Sequence, residues 1–275
     1  MTVLDEILAT KRAEVAGLAG RAAALEAEAA AAGPSDRDFA RALRRADGRL
    51  AVIAEIKRRS PSKGPLAPGL DAATTAARYA AGGAAALSVL TDGPYFDGSL
   101  ADLRAARAAC GLPVLRKDFT VDPVQLHEAR AAGADAVLLI VAALPDDRRL
   151  ADLCALAGEL GLAALVEADD EAGVERALAA GARIVGVTNR NLRDFGEDLS
   201  AGVRLAGLIP PGVVAVAESA IRSVDDARAM ADAGFSAVLV GEHLVRSSDP
   251  GAAVAALAAV PVKQPKGGRE IECAT

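Results

Sequence analysis

Eight short apolar runs recur along this 275-residue chain at spacings of roughly 20 to 35 residues, with amphipathic helical stretches between them. That alternation predicts an α/β protein of the (β/α)8 class, a TIM barrel, with extra helices at its N-terminus. Three observations carry the prediction. The runs at 51–56, 85–89, 113–116, 136–140, 163–166, 183–187, 213–217 and 237–240 carry few charges and are rich in Val, Ile, Leu and Ala, as buried strands are. The segments between them, among them 122–132, 146–160, 171–180 and 224–233, place apolar residues at helical spacing. Several of these helices close on a glycine, at Gly133, Gly181 and Gly234, where a helix C′ position favours a left-handed backbone. A doubly wound sheet would need a Gly-x-Gly-x-x-Gly turn after the first strand, and the sequence has none there.

In chain order, Leu4, Ile7, Leu8, Val15, Leu18 and Leu25 predict a leading helix from residue 3 to about 31. Gly33 and Pro34 end it, and Ser35 or Asp36 is the expected cap of a second short helix through Arg44. These helices, residues 1–46, lie outside the eightfold repeat and are expected to cover the mouth or one end of the barrel without completing its core. The strand at 51–56 then opens the repeat. Residues 1–260 read as a single barrel domain including that extension, and 261–275, polar and glycine-containing, as a disordered tail. Hydrophobic residues make up 52% of the chain but aromatic residues only 3%, so the core is built from Ala, Val, Leu and Ile.

Composition narrows the function classes. A net charge of -6 and a pI near 5.1 argue against a nucleic-acid surface. Cys110, Cys154 and Cys273 form no CxxC pair, which fits free thiols in a reducing, cytoplasmic setting. No run is long and apolar enough for a bilayer, and the first residues lack the order of a signal peptide. With only His127 and His243, a histidine-rich metal site is excluded. His127 reads as a helix-packing residue, and His243 is ambiguous. The expected partner is a phosphorylated small molecule, with no nucleic acid and no membrane, and the chain is expected to be a monomer or weak homo-oligomer.

Active sites of this barrel lie where strands run into βα loops. Strand side chains alternate faces, so Glu55 and Lys57 point the same way. An acid and an amine at the end of a core strand are costly to desolvate unless paired or used. A salt-bridged strand end followed by a solvated turn would account for this stretch alone. The other strand ends argue otherwise. Strand 2 leads to Tyr95 and Phe96, strand 3 to Lys117, Asp118 and Phe119, and strand 5 to Glu167. Strand 6 leads to Thr188, Asn189 and Arg190, strand 7 to Glu218 and Ser219, and strand 8 to Gly241 and Glu242. Lysine usage sharpens the picture. Of 31 basic residues only six are Lys, and Lys57, Lys63 and Lys117 fall in or beside the loops after strands 1 and 3. A partly buried lysine can exchange its proton where an arginine cannot, so Lys57 and Lys117 are candidate proton donors. Ser219 and Gly241 sit where such barrels hold phosphate, and Ser60 can reach there from loop 1. Phe96 and Phe119 are placed to wall a pocket for a flat ring.

The motifs EIKRRSPSKG (55–64), LSVLTD (87–92) with FDGS (96–99), and LRKDF (115–119) resemble indole-3-glycerol phosphate synthases. So do LVE (165–167), RNL (190–192), VAES (216–219) and VGE (240–242), in order along residues 3 to 260. The resemblance implies a carboxy-lyase of tryptophan biosynthesis that needs no cofactor. It would close 1-(2-carboxyphenylamino)-1-deoxyribulose 5-phosphate to indole-3-glycerol phosphate with loss of carbon dioxide and water. By that resemblance Lys117 is the general acid at the carbonyl and Glu167 the general base. Lys57 with Glu55 serves the dehydration and holds the carboxylate, while Arg190 and Glu218 position the intermediate. Ser60, Ser219 and Gly241 hold the phosphate, and Phe96 and Phe119 sandwich the anthranilate ring.

Two positions depart from the family pattern. Thr188 stands where the family has Asn, and Ala220 where it has Gly. Thr loses the amide fork, and Ala adds a methyl and resists positive φ. Both point to a functional but slow enzyme, unless Asn189 supplies the amide through a one-residue shift of the loop. Phosphoribosylanthranilate isomerase is a weaker match, because it lacks the leading helices and the context of Lys57 and Lys117. The alternative of another class is a low-activity paralogue that serves a specialised pathway or only binds a phosphate ligand.

Overall fold

All eight apolar runs form parallel strands, and the strands close into one barrel. The computed structural model describes residues 2–190, 196 and 198–262. The strands are β1 (Ala51–Ile56), β2 (Ala86–Leu90), β3 (Val114–Lys117), β4 (Ala136–Ile140), β5 (Ala163–Ala168), β6 (Ile184–Thr188), β7 (Val214–Glu218) and β8 (Ala237–Val240). Each pairs with its sequence neighbours, and β1 pairs with β8 to shut the ring. Strands β3, β5, β6 and β7 each run at least one residue beyond the apolar pattern. The added residues include Lys117, Glu167, Thr188 and Glu218. Hydrophobicity stops at these positions, but the backbone ladder does not. Leu90 pairs with Lys117, Ile140 with Glu167, and Thr188 with Glu218. The polar residues of the mouth are therefore held by strand hydrogen bonds, at a common level around the ring.

The outer helices start where the sequence supplies an oxygen. Asp71, Ser99, Asp122, Asp146, Asp170, Asp198, Ser223 and Asp249 each accept a backbone N–H from the first turn of the helix they precede. Gly133, Gly181 and Gly234 have φ of 90°, 83° and 111°, the left-handed geometry expected of them. No described helix is long and apolar enough to cross a membrane.

The leading segment departs from expectation in two ways. The single helix expected over 3–31 is α1 (Val3–Leu18) and α2 (Ala22–Ala32), separated by a 3-10 turn at Ala19–Arg21. Gly17 and Gly20, poor helix formers, stand beside this break. The break lets the two helices do different work: α1 reaches the barrel mouth, whereas α2 buries Leu25 and Ala29 and packs on the helix Pro123–Ala131. The short helix α3 (Phe39–Ala42) is capped by Asp38, whose carboxylate accepts the Arg41 N–H at 2.9 Å. Ser35, one of the two expected caps, instead hydrogen-bonds Asp135 and the backbone of Arg37.

Residues 1–46 are also not wholly outside the core. Phe39 and Leu43 are each 1% exposed and belong to the apolar cluster inside the barrel with Ala51, Ile53, Ala136 and Ala237. Arg44 and Arg45 donate to the carbonyls of Gly212 and Gly83, which precede β7 and β2. The α3 segment thus closes the end of the barrel where the strands begin. With an aromatic-poor interior, one phenylalanine there fills volume that no neighbouring alanine can. At the other end of the chain, Val262 N–H donates to Gly48 O at 2.8 Å and Pro261 bridges to Arg49. The rest of the expected tail, 263–275, lies outside the described residues.

Phe39→Ala is expected to lower the unfolding free energy by about 3–5 kcal/mol in urea titration, the usual range for a buried phenylalanine. A loss within error of zero would mean that α3 is not a working part of the core.

Candidate active site

A single cavity at the carboxyl ends of the strands gathers the thirteen residues read from the sequence as catalytic or substrate-contacting candidates, whereas Tyr95 and Asn189, also at strand ends, do not line it. Glu55 and Lys57 come from β1 and its loop, and Ser60 from that same loop. Phe96 follows β2, Lys117 ends β3 and Phe119 follows it, and Glu167 lies in β5. Thr188 and Arg190 come from the end of β6, Glu218, Ser219 and Ala220 from β7 and its loop, and Gly241 from β8. The leading helix covers the mouth, one of the two places expected for it: Leu4 and Ile7 of α1 roof the cavity, while Leu138, Ile140 and Leu239, which were not singled out, lie beneath. A signal for the roof does exist. Leu4, Ile7, Leu8 and Lys11 recur on one helical face, and the lysine on it is one of only six.

The centre of the site is a buried charge cluster. Lys117 Nζ donates to Glu167 Oε2 at 2.8 Å and to Glu218 Oε2 at 2.6 Å. Lys57 pairs with Glu55, and Glu55 also accepts from Ser88 Oγ at 3.3 Å. Burial disfavours the Lys117 cation, but the carboxylates of Glu167, Glu218 and Glu55 outweigh it and hold the proton more tightly than usual. Burial likewise pushes Glu55 up, yet Lys57 and Lys117 bring it below its ordinary value. Glu218 is the reverse case. Burial and the nearby Glu167 together overcome Lys117 and raise its pKa to about 8.

Two glycines make room for it. A methyl at Gly186 would collide with Glu218 Oε1, and one at Gly241 with Glu55 Oε1 and, at 3.0 Å, with Lys57 Nζ. The absence of a side chain at Gly241 thus serves the Glu55–Lys57 pair as well as the loop expected to hold phosphate.

The rim is tied together by loop-to-loop contacts. Loop 1 has its own structure: Arg59–Ser60 and Gly64–Pro65 form a small hairpin whose turn, residues 61–63, is exposed, and a bidentate Arg58–Asp102 pair at 2.7 Å anchors it. Arg190 Nη1 donates to Ser62 Oγ at 2.7 Å and so links loop 6 to loop 1. Thr188 Oγ1 donates to Ser219 Oγ at 3.2 Å and accepts the Arg190 N–H at 3.3 Å. Asn189 does not stand in for the missing amide. Its side chain is buried away from the cavity, with Nδ2 donating to Glu218 O at 3.0 Å and Oδ1 accepting the Gly202 N–H at 3.1 Å. Strand alternation explains this: Thr188 faces in, so its neighbour faces out. The rings of Phe96 and Phe119 lie 6.1 Å apart at 40° and touch each other. A flat ring between them would need about 7–8 Å, two van der Waals spacings, so here they form one wall and not a sandwich. Neither His127 nor His243 reaches the cavity. The RNL motif extends to residues 191–192, which lie outside the described residues.

A sequence-family profile described as indole-3-glycerol phosphate synthase matches residues 4–257. The chain belongs to that family. It is 53% identical over 259 residues to a protein named indole-3-glycerol phosphate synthase 2 from Streptomyces coelicolor, covering 92% of this chain and 99% of that one. Over 265 residues it is 51% identical to the indole-3-glycerol phosphate synthase of Laribacter hongkongensis, covering 93% and 98%. Among solved structures, thiamine phosphate pyrophosphorylase from Pyrococcus furiosus aligns at 18% identity and a TM-score of 0.57, covering 76% of this chain and 94% of that one. That likeness shows the barrel alone.

One departure from the family pattern carries visible strain. Ser219 and Ala220 have φ of 64° and 59°. For a residue with a Cβ the left-handed region costs about 1–2 kcal/mol, partly offset in a comparison with glycine by the latter's greater freedom when unfolded. Ala220→Gly is therefore expected to raise stability by about 1 kcal/mol in thermal or urea unfolding. A destabilised variant would show that the alanine methyl is packed and not strained.

Glu218 makes stability depend on pH. Its pKa is about 8 in the folded chain against an ordinary 4.5. Between these values the folded form keeps a proton that the unfolded form releases. The contribution is present in full below the lower value and is lost as pH rises through the upper one. Unfolding free energy should fall from pH 5 to pH 8 more steeply in the wild type than in Glu218→Gln, compared by urea titration at each pH. Parallel profiles would remove the proton from Glu218.

Proposed function

We propose that this chain is an indole-3-glycerol phosphate synthase, acting on 1-(2-carboxyphenylamino)-1-deoxyribulose 5-phosphate. The observation that carries the reading is Lys117, a cation held inside the barrel mouth between two glutamates. Family membership over nearly the whole chain supports it. The alternative of a ligand-binding paralogue has no observation in its favour.

The chemistry follows from the charges. The ring carbon bearing the carboxylate attacks the ketone, and the oxygen becomes an alkoxide unless it is protonated. In the free enzyme Lys117 holds its proton tightly, because carboxylates surround it. A substrate carbonyl that takes the place of one carboxylate partner would receive a short hydrogen bond and then the proton. Loss of carbon dioxide restores the benzene ring. Lys57 is paired with Glu55 beside this centre, and in this reading it holds the substrate carboxylate and then assists departure of the hydroxyl as water. Glu167 removes the remaining proton as the pyrrole ring forms. Glu218, whose carboxyl burial and Glu167 hold above its ordinary range, is placed beside Lys117 to position an intermediate with Arg190. Ser60, Ser219 and the backbone at Ala220 and Gly241 receive the phosphate, and the Phe96–Phe119 wall faces the anthranilate ring. The same reading makes this a cytoplasmic enzyme, monomeric or weakly associated, with no nucleic acid or membrane as partner. Val203 and Leu208 are the large exposed hydrophobics among the described residues, which leaves little apolar surface for a stable interface.

The test is turnover. The wild type should release indole-3-glycerol phosphate and carbon dioxide from the carboxyphenylamino-deoxyribulose phosphate. Lys117→Met should lower kcat by about 10²–10⁴-fold, the range for a placed general acid. No product from the wild type would end the reading, and near-normal turnover in Lys117→Met would end the assignment of the acid.

A further inference from the structure

We propose that Lys11 is a positioning residue that latches α1 over the cavity and braces the two loops bearing Phe96 and Phe119. The inference rests on the synthase reading of that cavity and adds a residue to it. Lys11 lies one turn beyond Ile7 on the face of α1 that roofs the pocket. Its side chain is 3% exposed, although it belongs to a terminal helix. Nζ meets Asp92 Oδ2 at 2.8 Å, Asp118 Oδ1 at 3.0 Å and Glu14 Oε2 at 2.7 Å. Burial works against the cation, but Asp118, Asp92 and Glu14 outweigh it, so the charge is fixed.

The two aspartates explain what the latch controls. Asp92 caps the short helix Gly93–Phe96 by accepting the Tyr95 N–H at 2.8 Å. Asp118 accepts the Phe119 N–H at 2.8 Å and follows Lys117 directly. One ammonium therefore joins α1 to both ring-bearing loops. Thr10 Oγ1 adds a 2.9 Å hydrogen bond to Tyr95 OH. The apolar hold of α1 is small: Leu8 joins the inner apolar cluster with Leu4 against it, and Ile7 is buried at the cavity. Without the ammonium, Asp92 and Asp118 are left buried with less countercharge, and α1 loses its ionic tie to both loops. Lys117 itself does not move, because it ends β3 and is held by Glu167 and Glu218. Loss of the latch should thus weaken substrate binding, through a smaller fraction of closed roof, more than it slows the chemistry.

The experiment compares wild type, Lys11→Met and Lys11→Arg by steady-state kinetics and by hydrogen exchange of residues 3–18. In Lys11→Met, KM should rise about tenfold or more while kcat stays within about threefold, and α1 amides should exchange faster with the barrel strands still protected. Lys11→Arg, which keeps the charge, should recover much of both. Wild-type KM with wild-type exchange in Lys11→Met overturns the proposal. So does a fall in kcat at unchanged KM, which would place Lys11 in the chemistry. If Lys11→Met does not fold, Lys11→Gln carries the same comparison, and equality with wild type overturns the latch there too. A wild type without turnover would instead sink the synthase reading, and the exchange comparison alone would then decide the latch.

Discussion

The Lys117 ammonium between Glu167 and Glu218 is the interaction on which the mouth of this barrel depends. A cation at the top of a hydrophobic barrel is stable only if its countercharges are fixed at hydrogen-bond distance. The ladder supplies that fixity, because Lys117 and Glu218 are the last residues of β3 and β7 and Glu167 lies in β5. Other features follow from the same requirement. Gly186 and Gly241 are side-chain-free because carboxylate oxygens occupy the space beside them. Glu218 has its pKa raised, because burial and the neighbouring Glu167 oppose a further negative charge there more than Lys117 favours it.

The two ends of the barrel solve different problems with the same leading segment. Where the strands begin, the interior is apolar and poor in aromatics, and Phe39 and Leu43 fill it. Where they end, the interior opens as a cavity lined by charged groups, and α1 roofs it. Leu4 and Ile7 of α1 supply apolar cover, and Lys11 supplies an ionic hold. The 3-10 turn at 19–21 separates these duties, leaving α2 packed on the outer helix layer while α1 remains the lightly attached part.

The barrel was legible because each strand and helix carries its own periodicity, and glycines mark the helix ends. Most of the site was legible too, since parity alone puts Glu55 and Lys57 on one face and strand ends converge on the mouth. What was not legible depends on long-range packing. Nothing local in Phe39 says that it enters the barrel rather than lying on it. Nothing local in Phe96 and Phe119 sets their 6.1 Å separation, which makes a wall of them. The direction of Asn189 is fixed by parity with Thr188, and the lysine on the Leu4–Ile7–Leu8 stripe marks the mouth, of the two ends open to the leading helices, as the one α1 covers.

The positions of the two departures from the family pattern follow from how the site is built. The groups proposed to transfer protons sit in strands or close to their ends, where a backbone shift would break a ladder. Those proposed to receive the phosphate sit in the loops after β1, β7 and β8, where geometry is set by local hydrogen bonds and individual φ values. Thr188 and Ala220 both fall at the junction between these regimes. Thr188 keeps a strand residue's inward direction, and its hydroxyl bridges Ser219 and the Arg190 backbone, so it fastens loop 6 to loop 7 where an amide would reach further into the pocket. Ala220 accepts a left-handed backbone in order to preserve the turn that aims Ser219. The two departures therefore bear on the end of the site proposed to hold phosphate, and leave the ion pairs of Lys57 with Glu55 and of Lys117 with Glu167 and Glu218 intact.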